Sequence, residues 1–149
     1  MTDPTATGEL TYRRVHQAPR QLLFECLTRP EHLTHFWGPE GTTTPIDRIT
    51  VDLRPGGAFE TVMVNDSDGT EYTMRAVYDV VDEPDRLGWT DADVGMVTTI
   101  TFVELGDGTT EVTTHQTKVP APFMSPEARK GFATSLDRCD AYVVGLVEA

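Results

Sequence analysis

The stretch LTRPEHLTHFWGP, residues 27–39, holds the densest set of chemically capable side chains in the sequence. His32 and His35 stand three apart with Glu31 beside them, a spacing that brings two imidazoles onto one face of a helix. Metal chemistry asks for more. A zinc site needs a third and usually a fourth ligand, with outer groups that orient them. His16 and His115 are the other histidines, both in segments that read as strands, and no Cys-x-x-Cys or His-Glu-x-x-His pattern is present. The expectation is therefore no metal, with Leu33 and Phe36 anchoring a short helix and the two histidines mostly solvated. Trp37, beside Gly38-Pro39, is open to two readings: plain core packing, or the mouth of a cavity.

Other reactive groups are sparse. No nucleophile elbow or Cys-His pair is evident. Cys26 and Cys139 each sit among apolar neighbours, which suits reduced thiols used as small hydrophobes. Pro55-Gly56-Gly57 is a turn, since no Lys-Ser/Thr follows to make a phosphate loop. Asp52 and Arg54 stand two apart on one strand and read as an exposed ion pair, worth about 0–1 kcal/mol. Asp91 and Asp93 in TDADVG are candidate bases, but a solvated loop is the preferred reading. Binding is thus favoured over catalysis.

The elements that position these residues follow from periodicity. Residues 1–8 are small and polar and are expected to fray. ELTYRRVHQ alternates, with Leu10, Tyr12, Arg14 and His16 on one side. Leu22, Leu23, Cys26 and Leu27 keep helical spacing after Pro19, and Pro30 opens a second short helix that stops at Gly38-Pro39. From residue 42 the pattern turns to strands: DRITVDLR, AFETVMV, EYTMRAVYDVV, RLGWTD, MVTTITFVEL and TTEVTTHQTKV, separated by PGG, NDSDG, DEPD and GDG. The last segment reads as one helix over about Ser125–Val147. Ser125 is its N-cap, Pro126 its first position, and Phe132, Leu136, Cys139, Val143 and Leu146 form one apolar stripe. Gly131 and Gly145 are expected to serve close packing or bending. The fold class is α+β, residues 9–149 forming a single domain. A long antiparallel sheet with one long helix to cover it curls around that helix and leaves an elongated space.

The formal net charge of −12 over 149 residues opposes phosphate backbones and anionic membrane surfaces. No nucleic-acid or membrane partner is expected, nor a signal peptide. The expected location is cytoplasmic, as a monomer or homodimer.

APRQLLFECLTRPEHLTHFWGP, VDLRPGGAFETVM, VYDVVDEPDRLGWT and ITFVELGDGTTEVT together resemble the bacterial family named for the activator of the heat-shock-protein-90 ATPase. That family lies within the START/polyketide-cyclase-like (SRPBCC) superfamily, and the resemblance runs from about Leu10 to Leu146. It implies the helix-grip fold of the birch pollen allergen: a curled seven-stranded antiparallel sheet around a long C-terminal helix, two short helices after strand 1, and a hydrophobic cavity between sheet and helix. It implies no single activity.

On that fold the inward residues are Phe59, Thr61 and Met63; Tyr72, Met74, Ala76 and Tyr78; Leu87 and Trp89; Thr98, Ile100 and Phe102; Val112, Thr114 and Gln116. Mostly apolar walls with a few polar groups suit a small-molecule pocket. The expected ligand-binding residues are Trp37, Phe59, Met63, Tyr72, Met74, Tyr78, Trp89, Ile100, Phe102, Thr114, Gln116, Phe132, Leu136 and Cys139. The expected function is binding of a small hydrophobic, aromatic or polyketide-like molecule, with no cofactor. A cyclase- or hydrolase-type enzyme using the same cavity and a co-chaperone-like interaction module are the alternatives.

Overall fold

A computed structural model describes residues 7–148. The chain runs β1 (Thr7–His16), α1 (Arg20–Cys26), α2 (Pro30–Leu33), β2 (Thr42–Thr43), β3 (Ile49–Val51), β4 (Ala58–Asn65), β5 (Glu71–Asp82), β6 (Arg86–Asp91), β7 (Val97–Gly106), β8 (Thr109–Pro120) and α3 (Pro126–Glu148). Every strand pairing is antiparallel, in the order β1-β8-β7-β6-β5-β4-β2, with β3 also on β4. This is the helix-grip fold. The sheet has eight strands where seven were expected, because two-residue β2 adds to the end of β4. Of the segment expected to fray, Thr7 and Gly8 belong to β1 and residues 1–6 lie outside the described residues.

The expected alternation in DRITVDLR survives only over Ile49–Val51. Asp47 and Arg48 lie in a 3-10 turn, and Leu53 is exposed. The cause is the turn that follows. Asp52 N–H donates to Ala58 O, and Gly57 passes so close that a Cβ there would lie 1.9 Å from Asp52 O. Side chains are excluded by the backbone itself, so PGG is a structural motif.

The inner face of the sheet buries Phe59, Ala76, Tyr78, Leu87, Trp89, Ile100 and Phe102. Phe24 of α1 meets Phe102 edge-on at 5.6 Å. α3 crosses this face. It begins as expected, Ser125 Oγ accepting from Ala128 N–H at 3.1 Å, which satisfies one of the free donors of its first turn. Its apolar stripe is less enclosed than the sheet: Val143 is buried, whereas Phe132, Leu136, Cys139 and Leu146 are half-buried. Gly131 and Gly145 do not serve close packing, since a Cβ at either would meet nothing within 4 Å.

Candidate ligand site

The cross-strand register arranges the inner face in rows. One row runs Leu10, Gln116, Thr98, Trp89, Tyr78 across five strands. The next runs Tyr12, Thr114, Ile100, Leu87. Amide, hydroxyl, indole and phenol thus lie side by side among the aromatic and aliphatic groups of the inner face. At the β5 end Tyr78 stacks on Phe59, and Trp89 meets Phe59 edge-on with centroids 5.0 Å apart. Trp37 joins this cluster, 5.3 Å from Phe59, and its Nε1–H donates to Thr61 Oγ1 at 3.1 Å. Of its two readings, Trp37 follows the packing one: its indole helps to build the core.

Two buried hydroxyls in these rows, those of Tyr12 and Tyr78, find no hydrogen-bond partner among the described residues. Burial raises the pKa of both; Arg129 nearby opposes the rise at Tyr12. Both phenols therefore remain neutral donors at physiological pH. Enclosed polar groups without partners are rare in folded proteins, and each asks for an explanation.

Further along β5, on the same face as Tyr78, lie Ala76, Met74 and Tyr72. Ala76 is buried, and past it the surface opens into a cleft of about 870 Å³. Its apolar wall is made by Met63, Tyr72, Met74 and Phe123, and its rim by the 39–42 loop, the β4–β5 turn and Asp91. Tyr72 is 48% exposed and Phe123 is 43% exposed, so two aromatic rings stand open to this space. From Met74 to Tyr78 is about 13 Å along the strand.

The structure divides the expected ligand residues. Met63, Tyr72 and Met74 line the cleft. Phe59, Tyr78, Trp89, Ile100, Phe102, Thr114 and Gln116 are buried on the inner face, and Trp37, Phe132, Leu136 and Cys139 are half-buried around it. Glu40, Asp66, Glu71 and Phe123 complete the cleft without having been singled out, as does Asp91, for which a solvated loop was preferred. Phe123 left a signal, an aromatic residue in the sheet-breaking stretch PAPFM. The acidic residues left none, because a turn carboxylate looks the same wherever the turn folds.

Of the two histidines of the opening stretch, His35 is exposed as expected, whereas His32 is half-buried. His32 Nδ1 lies 2.6 Å from the Tyr142 hydroxyl, and His35 stacks on the Tyr142 ring at 5.1 Å. The stretch is a corner clamped to α3. A Cβ at Gly38, whose φ is +101°, would press on Thr42 Oγ1 at 2.6 Å and Met63 Sδ at 2.8 Å. Arg138 of α3 donates to the carbonyls of Gly38 and Pro39. Among the described residues no three His, Cys, Asp or Glu side chains come together to hold a metal.

The thiols are likewise inert. Burial, with a smaller push from Glu25, drives Cys26 up to about 11. Burial, then Cys26 and Asp140, raises Cys139, against an opposing pull from Arg14. Neither is the thiolate that nucleophilic chemistry requires. A charged latch on the inner side joins β1 to α3. Arg14 Nη1 donates to Asp137 Oδ1 and Asp140 Oδ2, each at 2.7 Å, and buried His16 lies 3.4 Å from Asp140 Oδ1. The arrangement can enclose and orient a small molecule.

Comparison with known proteins agrees with this architecture. Residues 17–144 match the family model described as Activator of Hsp90 ATPase homolog 1-like protein. A solved structure from Chromobacterium violaceum is similar at 24% identity and a TM-score of 0.82, covering 90% of this chain and 96% of that one. One from Mycobacterium smegmatis is similar at 26% identity and a TM-score of 0.73, covering 93% and 92%. An AHSA1-like protein from Aeromonas hydrophila is similar at 18% identity and a TM-score of 0.81, covering 93% and 94%. A search of curated proteins gives no match. Among the described residues, no helix is long and apolar enough to cross a membrane.

Proposed function

The chain belongs to the Activator of Hsp90 ATPase homolog 1-like family, whose fold is a ligand-binding one in general, and from that premise we propose that it binds a small apolar molecule between sheet and α3. The ligand enters through the cleft of about 870 Å³, within the range of roughly 300–1,000 Å³ typical of small-molecule sites. Its body lies against Met63, Tyr72, Met74 and Phe123. Its leading end passes Ala76 toward Tyr78, Trp89, Thr98 and Gln116, with Phe132, Leu136 and Cys139 of α3 as the opposite wall. The observation that carries this reading is the enclosed Tyr78 hydroxyl without a partner, a donor placed to orient one polar atom of an otherwise apolar guest. The reading includes a cytoplasmic location, supported by the two free thiols.

Apolar burial contributes roughly 25 cal/mol per Å² before entropy costs, so micromolar affinity is reachable without catalytic chemistry. The test is a fluorescence titration of the protein, whose tryptophans Trp37 and Trp89 both belong to the inner aromatic cluster, with a panel of flat aromatic and lipid-like compounds. Saturable quenching or a spectral shift by a subset is expected. An unchanged spectrum across the whole panel, with no heat of binding, contradicts it.

A further inference from the structure

The charge of the cleft narrows what it admits, an inference that rests on the ligand-binding reading and deepens it. Glu40, Asp66, Glu71 and Asp91 all line the cleft, and among the described residues no lysine, arginine or histidine does. Glu71 is neutralised by Arg48 at 3.2 Å. Asp66 and Asp91 are hydrogen-bonded but not balanced. Asp66 Oδ1 accepts from the Thr43 hydroxyl at 2.6 Å, and Asp91 Oδ1 accepts from the backbone N–H groups of Asp93 and Val94. Such donors fill lone pairs and leave the negative charge in place. Arg138, on the corner side, is turned to the Gly38 and Pro39 carbonyls. The net charge of the whole chain, −12, adds a field of the same sign.

The walls between these carboxylates suit the same partner. Tyr72 and Phe123 expose aromatic rings to the cleft, and the negative face of such a ring attracts a cation. Met63 and Met74 offer polarizable thioethers that adapt to an irregular apolar body. We propose that the cleft selects a cationic amphiphile: a protonated amine or quaternary ammonium carried on an aromatic or aliphatic body. The body packs on the methionines and the head stays among Glu40, Asp66 and Asp91. A carboxylate on the same body meets three uncompensated like charges. At about 7 Å in water each carboxylate changes the cation-to-anion ratio by a small factor, and three together by about tenfold at an ionic strength of about 0.1 M.

The experiment is calorimetric titration of the protein with three probes of one shape: naphthylmethylamine, naphthylmethanol and naphthoate. The amine is expected to bind about tenfold more tightly than naphthoate, with the alcohol between them. The gap narrows to about threefold at an ionic strength of about 0.5 M. In the double variant Glu40→Gln, Asp66→Asn the amine loses more affinity than the alcohol does, and the gap between amine and naphthoate narrows. Equal affinities for amine and naphthoate, or a gap that neither salt nor the double variant moves, overturn the charge selection; binding of the alcohol then leaves the apolar site standing. No heat from any of the three overturns both.

Discussion

The ring of Tyr78 lies flat on the ring of Phe59, centroids 5.3 Å apart and planes 10° from parallel. The stack fixes the phenol within the core, where its hydroxyl meets no partner among the described residues. An unpaired buried hydroxyl costs about 1–3 kcal/mol, so Tyr78→Phe should raise the stability of the free protein by about 1 kcal/mol, or roughly 2–4 °C in melting temperature. The same variant should bind the apolar probe more weakly. Thermal unfolding with and without the probe measures both. A loss of stability in the free protein contradicts the account.

Gly131 and Gly145 stand in α3 with open space where a Cβ would be. Alanine at each should stabilise the protein by about 0.5–1 kcal/mol, through helix propensity and a less flexible unfolded chain. Gly57→Ala is the opposite case. The Cβ would collide with Asp52 O, the β3–β4 turn must shift, and stability should fall by several-fold more than either α3 substitution gains. Chemical denaturation of the three variants checks the order.

His16 carries the pH dependence. Burial lowers its pKa below the ordinary 6.5, with Arg14 acting in the same direction and Asp140 opposing it. Its folded pKa thus lies below its unfolded one, and between the two the unfolded chain binds more protons. Stability rises with pH in that window. It should fall as pH drops through about 6.5 and level off below the folded pKa. His16→Gln should remove this part of the slope, seen as a smaller difference in denaturation midpoint between pH 7 and pH 5 than the parent shows.

Tyr142 ties the corner to α3 through His32 Nδ1 at 2.6 Å. Tyr142→Phe keeps the ring on which His35 stacks and removes the hydroxyl, which should cost about 1 kcal/mol. Treatment with a chelator should leave the melting temperature unchanged, since the two histidines answer to a phenol. A chelator-dependent drop contradicts that assignment.

Much of this fold was legible from pattern. Strand alternation gave the phase of β1, with Val15 out and His16 in, and the Ser125 cap and the Phe132–Leu146 stripe gave α3. The site was less legible, for reasons visible at particular residues. Periodicity says that Phe59 and Met63 share a face. It does not say that Phe59 closes against Tyr78 while Met63, at the far end of the strand, stays open to a cleft. That difference depends on where the 39–42 loop and Phe123 land, and both positions are set by contacts distant in sequence. Tyr142 shows the same limit. Its hydroxyl meets His32 from 110 residues away, and nothing local to either residue signals the pair.

The central claim is that a small apolar molecule passes from the cleft along β5 to the Tyr78 hydroxyl. Ala76 is the gate on that path, buried between Met74 and Tyr78 on the inner face. The most direct measurement is the affinity of naphthylmethanol for the parent and for Ala76→Phe, a filling substitution expected to cost about 1–3 kcal/mol of stability. Ser135→Trp, at a half-buried position of α3, serves as a second bulky substitution. The account predicts saturable binding to the parent and at least about a tenfold loss in Ala76→Phe, with a cooperative unfolding transition retained. Undiminished affinity in both folded variants would contradict it, because the ligand then never reaches the inner row.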